Sequence, residues 1–267
     1  MLMAELLYEK KPDLDPSQLQ QRLQASLPRT KVKSTGGSLL AFHEGHLVQF
    51  RDGSVPAQTA IMVADRPQLA QVDDALQQTW DWPEARGMVA RSGHQVLVTE
   101  LMARSLDAHT RLRLFQSVLV ELVGLTPPLA VHMKHAERIV DPARLLQASR
   151  STNPADLVLM SLNVRLFRIE TGEPGDTLMD TRGLAALGLP DLQMHFRNLN
   201  PGQLAGFLYN CAYYLFENGD CIADGNTIQG LEPAQKWKCQ HEDSLVPPLR
   251  HVLDVNPGAP HAAGKRQ

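Results

Sequence analysis

His94-Gln95-Val96-Leu97-Val98-Thr99-Glu100-Leu101 is followed by Asp107, then by Leu112, Leu114, Phe115, Val118, Leu119 and Leu122, and then by Leu129-Ala130-Val131-His132-Met133. The first stretch is rich in β-branched and apolar residues over a length that suits a strand. Asp107 is an N-cap type, and the apolar set after it recurs at helical spacing. Gly124, with Pro127 and Pro128 beyond, stops that helix. The order is strand, capped helix, strand. It returns downstream in Leu192–Phe196, in a helix opened by Asn200-Pro201, and in extended pieces from Cys221 to Ile228. Leu114-Phe115 and Phe207-Leu208 stand seven and eight places after their caps, Val118 and Cys211 eleven, and Leu122 and Leu215 fifteen. The shared order predicts an α+β protein of two similar halves, each a mainly antiparallel sheet with helices packed on one face.

Outward from these segments the punctuation is clear. Residues 2–8 read as a buried strand, and Asp15-Pro16 opens a helix bearing Leu19, Leu23 and Leu27. Leu39–His43 and His46–Phe50 flank Glu44-Gly45, which predicts a hairpin with glycine at a positive-φ position. Asp52-Gly53 turns again, Thr59–Ala64 is a further strand, and Pro67–Trp80 reads as a helix with Leu69, Val72 and Leu76 on one face. A helix is expected near Pro142–Ala148, and Ser149–Pro154 reads as a linker. Leu157–Ile169 is mostly strand-like, Thr171–Asp176 is a turn, Thr177–Thr181 is a strand, and Leu245–Val255 is extended. Residues 256–267 hold two prolines, two glycines and no apolar periodicity. The expected division is therefore 1–150, 151–256, and a disordered tail over 257–267.

At 267 residues the chain suffices for one large domain or two ordinary ones. A net charge of −3 with no basic stripe argues against a nucleic-acid partner. Cys211, Cys221 and Cys239 match no zinc spacing, and their odd number argues against a disulfide framework. The N-terminal Met1–Tyr8 is apolar, but Glu5 and Glu9 interrupt it and no basic segment precedes it. No run approaches the roughly 18 apolar residues that a membrane-spanning helix requires. The expectation is a cytoplasmic protein with no membrane partner, and free thiols agree with that compartment.

The chemical motifs have ordinary explanations. His43-Glu44-Gly45-His46 is one residue short of the helical H-E-x-x-H zinc signature, and it falls in a predicted hairpin. His132 and His135 lack a third ligand at useful spacing. No nucleophile elbow, phosphate loop or dinucleotide fingerprint is present. Cys211 lies on the apolar face of its helix, where a thiol is inert. Asp176, Asp180, Asp191 and Asp224 all neighbour turns or caps. No metal, no cofactor and no catalytic residue is expected. A hydrolase built from His195 with Asp180 or Asp191 remains as an alternative, because catalytic groups assemble from distant segments.

One feature stands out. Between Glu217 and Asp243 the acids are Glu217, Asp220, Asp224, Glu232, Glu242 and Asp243, against the bases Lys236 and Lys238. The local excess of four negative charges sits in loop-rich sequence. It reads either as a solvated face or as a surface that meets a basic protein through electrostatic complementarity. These six acids are the candidate partner-binding residues.

The second half also resembles a known family. The residues that carry the likeness are Met179-Asp180-Thr181-Arg182-Gly183-Leu184 and Leu187-Gly188-Leu189-Pro190-Asp191-Leu192-Gln193-Met194-His195-Phe196. Leu208-Tyr209-Asn210, Tyr213-Tyr214-Leu215-Phe216, Asp224-Gly225-Asn226-Thr227-Ile228, Lys236-Trp237 and Ser244-Leu245-Val246-Pro247-Pro248-Leu249-Arg250 continue it. Over about residues 155–256 they resemble a bacterial family of unknown-function domains, sometimes found beside type VI secretion and polymorphic-toxin genes. The resemblance implies an immunity protein: one that binds a cognate secreted toxin, a nuclease by preference, and blocks it without turnover. An adaptor for secretion cargo is the alternative of the same binding class. A homodimer is compatible with either.

Overall fold

The computed structural model describes residues 1–64, 72–170 and 173–264. It is α+β and divides into two units, Met1–Ser161 and Leu162–Gln267. The first contains β1 (Met3–Tyr8), α1 (Pro16–Ser26), β2 (Thr30–Thr35), β3 (Ser38–Phe50), β4 (Gly53–Ala64), α2 (Asp73–Gln77), α3 (Ala85–Arg91), β5 (His94–Leu101), α4 (Ala108–Leu125), β6 (Ala130–Met133), β7 (Arg138–Val140), α5 (Pro142–Ala148) and α6 (Pro154–Leu159). Its strands form one sheet in the order β2-β3-β4-β5-β1-β6-β7, antiparallel throughout.

Asp107 caps α4 by accepting the Thr110 N–H at 2.8 Å, and Asp15 caps α1 through Ser17 and Gln18. Leu112, Leu119 and Leu122 are buried with Phe115 between them, each stabilising the fold by about 1.5–3 kcal/mol relative to exposure. Alternation along β1 sends Leu7 and Tyr8 to opposite faces. Tyr8 bonds Thr126 at the end of α4, whereas Leu7 joins Val72, Ala75, Ala85, Val89, Ala130 and Ile139 in a cluster with α2 and α3. Of the expected helix over Pro67–Trp80, Asp73–Gln77 is formed as α2 and Gln78–Trp80 lies past its end; Pro67–Gln71 lies outside the described residues.

The expected hairpin at Glu44-Gly45 is not formed. β3 runs unbroken for 13 residues. His43 pairs with Ala57 and Leu47 with Pro56, so Glu44-Gly45-His46 is a bulge opposite an uninterrupted β4. Gly45 does not adopt positive φ. The chain reverses instead before Gly53, at φ 138°, and at Gly36-Gly37, where β2 meets β3. β2 escaped sequence reading because Lys31 and Lys33 interrupt its apolar signal. The expected linker Ser149–Pro154 is irregular up to Asn153, but it joins α5 to α6 inside the first unit. Asn153 accepts the Ala155 N–H, Pro154 takes the first helical position, and α6 carries the first unit on to Ser161.

The second unit contains β8 (Asn163–Arg168), β9 (Thr177–Arg182), α7 (Leu184–Leu187), β10 (Asp191–Phe196), α8 (Pro201–Asn218), β11 (Thr227–Gln229), β12 (Lys236–Asp243) and β13 (His251–Asn256). The strand order is β11-β12-β13-β10-β9-β8, with β10 and β13 parallel and the other pairs antiparallel. Asn200 caps α8 through the Gln203 N–H at 3.1 Å, the same position that Asp107 satisfies in α4. Strand, capped helix and strand therefore recur in both units. In the first, β5 and β6 flank β1; in the second, β10 and β11 are separated by β13 and β12.

The buried stripe of α8 is Leu204, Leu208, Ala212, Leu215 and Phe216. Phe207 of the same helix meets Trp237 edge-on at 4.9 Å. Residues 257–264 correct the expectation of a disordered tail. Ala263 is fully buried, its N–H donates to the His195 carbonyl at 3.2 Å, and the Arg197 N–H donates to His261 at 2.9 Å. Backbone pairing onto the end of β10 needs no side-chain periodicity, so composition alone hid it.

Candidate functional site

Two features of the second unit concentrate charge, and they use opposite faces of the sheet. The first lies on the face away from α8. Register aligns Arg165 of β8, Asp180 of β9, Gln193 of β10, Asp254 of β13 and Gln240 of β12 in one row. The first four are buried. Asp180 and Asp191 are both fully enclosed. Arg165 Nε donates to Asp180 at 2.9 Å, and Arg250 reaches both acids, donating from Nη2 to Asp180 at 2.6 Å and from Nε to Asp191 at 3.0 Å. Burial pushes the Asp191 carboxyl above the usual range, against the pull of Arg250 and Arg182.

This network pins the segment Ser244–Arg250 across the sheet. The Leu245 N–H donates to Gln193 at 2.7 Å, Arg165 donates to the Pro247 carbonyl at 3.1 Å, and Arg250 donates to the Pro248 carbonyl at 3.1 Å. The strap keeps Leu245 and Leu249 exposed at its surface. Every carboxylate in the row is held by a cation or an amide, so the arrangement positions backbone and leaves no free base among these groups.

The second feature is the candidate acidic surface. His241 lies at its centre. Its Nδ1 meets Asp224 Oδ1 at 2.8 Å, its Nε2 meets Asp220 Oδ1 at 3.0 Å, and its backbone N–H donates to Asp224 at 2.7 Å. Its ring stacks on His251 at 5.1 Å and 7°. Burial disfavours the imidazolium, but the bonds to Asp224 and Asp220 outweigh it and raise the His241 pKa. The His241 amide, followed by its ring, holds Asp224 below the usual carboxylate range.

The six acids are therefore not equivalent. Asp220 and Asp224 clamp His241, Asp243 follows it by two residues on the same strand face, and Glu217 stands exposed in the last turn of α8. Glu242 points to the opposite face and accepts from Gln193 Nε2 at 2.9 Å. Glu232 is exposed in the loop between β11 and β12, beyond the other end of β12. Sequence reading missed His241 because β12 itself was missed: Lys236, Lys238, Gln240 and Glu242 mask the apolar alternation of Trp237 and Cys239.

The clamp predicts a pH response. Protonated His241 donates from both ring nitrogens, so its support for the Asp220–Asp224 loop is complete below about pH 6.5 and is lost as pH rises through the raised pKa. Amides of Gly225 and Cys239, bonded to Cys239 and Asn226 carbonyls, report the loop. Their hydrogen-exchange protection, corrected for intrinsic rates, is expected to fall across that window. Protection that does not vary with pH would contradict the clamp.

The other sequence candidates are placed plainly. His43 is 1% exposed and bonded to Thr30 and Thr59 hydroxyls, each at 2.9 Å, with burial pushing its pKa down to about 4. His195 lies 3.9 Å from Asp176 and packs against Gly264, while Asp180 and Asp191 are engaged by arginines. Burial pushes the Cys211 thiol up to about 12. Among the described residues no His, Cys, Asp and Glu group could hold a metal, and no helix is long and apolar enough to cross a membrane.

What fold and surface define is an α+β protein whose second unit pairs a buried arginine–aspartate network with an exposed acidic clamp. Within that unit, residues 180–256 match the model of a domain of unknown function, DUF4261. The match begins at Asp180 in β9 and ends with β13, so it includes the clamp and most of the buried row but not Arg165. No curated protein and no solved structure matched the chain in the corresponding searches.

Proposed function

We propose that this protein is an immunity protein, which binds a cognate type VI secretion toxin in the cytoplasm of the producing cell and neutralises it by contact. The observation that carries this reading is the grouping of Asp220, Asp224 and Asp243 about His241, with Glu217 at the adjoining end of α8. The loop that bears Asp220 and Asp224 is tied to β12, so the carboxylates are presented in a fixed arrangement. Such an arrangement recognises a basic surface better than mobile side chains of the same charge. A nuclease fits as the toxin, because a protein that attracts phosphate presents cations around its cleft. The resemblance of the second half to domains found beside toxin genes supports the same reading.

Co-expression with a nuclease toxin encoded beside this gene is the test. Wild-type protein is expected to restore growth, and the triple reversal Glu217→Lys, Asp220→Lys, Asp224→Lys is expected to lose at least about tenfold in toxin affinity and to protect less. Growth that stays arrested with wild-type protein at full expression would overturn the proposal.

A further inference from the structure

In the first unit the β3 bulge has a consequence of its own. By lifting Glu44-Gly45-His46 out of the ladder, it sets His46 beside α4, where Arg113 Nη2 lies 3.1 Å from His46 Nε2. The loop between α1 and β2 brings Arg29 to the other side. The Arg29 carbonyl accepts the Glu44 N–H at 2.9 Å, and a Cβ on Gly45 would stand 3.5 Å from Arg29 Cβ. Glycine at this position lets the arginine lie close against the bulge. The three cationic or titratable side chains line an open cleft of about 210 Å³ together with Leu27 and Thr30. No carboxylate among the described residues lines it. Among the described residues, neither Arg29 nor Arg113 has a carboxylate within ion-pair distance; the nearby Glu44 is taken by Lys31 at 2.9 Å.

Two guanidiniums that share a cleft with no ion-paired carboxylate among the described residues repel each other, and an anion between them relieves the cost. Burial, then Arg113, and later Arg29 depress His46, while Asp107 acts in the opposite sense. The neutral ring accepts from Arg113 and leaves its other nitrogen available as a donor. α1 ends at this cleft, and its carbonyl pole is unfavourable for an anion. Binding therefore depends on the arginine forks, whose planar donors match phosphoryl oxygens.

We propose that the cleft formed by Arg29, His46 and Arg113 is a binding site for a small phosphomonoester, with the phosphoryl group between the two guanidiniums and the organic part against Leu27. The site belongs to the first unit and does not rest on the toxin-binding reading.

The experiment follows the His46 ring signals by NMR at constant pH and ionic strength while inorganic phosphate, and separately phenyl phosphate, is added. Both are expected to shift the ring saturably, phenyl phosphate at lower concentration. Arg29→Gln and Arg113→Gln, both at exposed positions, are each expected to weaken binding about tenfold with the remaining spectrum unchanged. Vesicles containing phosphatidic acid separate a lipid headgroup from a free ligand. No saturable shift up to tens of millimolar phosphate, an undiminished response in the double variant, or a response to vesicles alone would overturn the proposal.

Discussion

Arg250→Met is expected to destabilise the second unit by about 3–5 kcal/mol, the cost of removing one partner from a buried ion pair. Arg250 is the cation that joins Asp180 to Asp191, and both carboxylates are fully enclosed. Its loss leaves Asp191 with the Thr181 hydroxyl, the Leu184 N–H and the field of Arg182, while Asp180 keeps Arg165. The same change frees the Ser244–Arg250 strap at Pro248. Trp237 is the only tryptophan of this unit, so urea unfolding followed by fluorescence in a Trp80→Phe, Trp82→Phe background reports it. Arg250→Lys keeps the charge but cannot reach two acids at once, and is expected to recover less than half of the loss. A change below about 1 kcal/mol for Arg250→Met would mean that water or relaxation replaces the guanidinium, and the network would not be what holds the strap.

Acid is expected to destabilise the first unit before its carboxylates titrate. His43 is neutral in the fold, with burial holding its pKa at about 4 against an ordinary 6.5. Below pH 6.5 the unfolded chain takes up a proton that the fold refuses, so stability falls as pH drops from about 6.5 toward 4. The full shift corresponds to about 3 kcal/mol. His135, pushed down to about 4 by burial, acts in the same direction. Unfolding free energy measured between pH 7 and 5 is expected to decline, and His43→Gln, which keeps hydrogen-bonding capacity toward Thr30 and Thr59, is expected to flatten the decline while lowering stability at pH 7. An unchanged slope in His43→Gln would contradict the assignment.

Much of this fold was legible wherever local chemistry agreed with tertiary packing. Asp107, Asn200 and Asp15 announced their helices because capping is a contact between residues two or three places apart. β5 and β10 were legible because both are strongly apolar or alternating. The failures have a common cause. Glu44-Gly45 has the composition of a turn, but the pairing of His43 and Leu47 with adjacent β4 residues decided for a bulge, and that is a non-local fact. β2 and β12 carry lysines on one side and were lost. Residues 257–264 bind through backbone groups, to which sequence patterns are blind.

The candidate surface was legible only as a charge excess. Counting acids could not separate Glu242, which turns inward to Gln193, from Asp220 and Asp224, which hold His241. Nor could it foresee that Arg165 and Arg250, 85 residues apart in sequence, meet on Asp180. Strand register sets Arg165 opposite Asp180 and the strap before β13 brings in Arg250, and both depend on the whole sheet.

The proposed role of the acidic end of the second unit is that of a docking surface for a basic protein partner. Calorimetric titration of the purified toxin domain into this protein over a range of salt concentrations tests it most directly. Wild-type protein is expected to bind with an affinity that falls steeply as salt rises, and the Glu217→Lys, Asp220→Lys, Asp224→Lys variant to bind at least about tenfold more weakly with a flatter salt dependence. Equal affinity and equal salt dependence in the two proteins would contradict the claim.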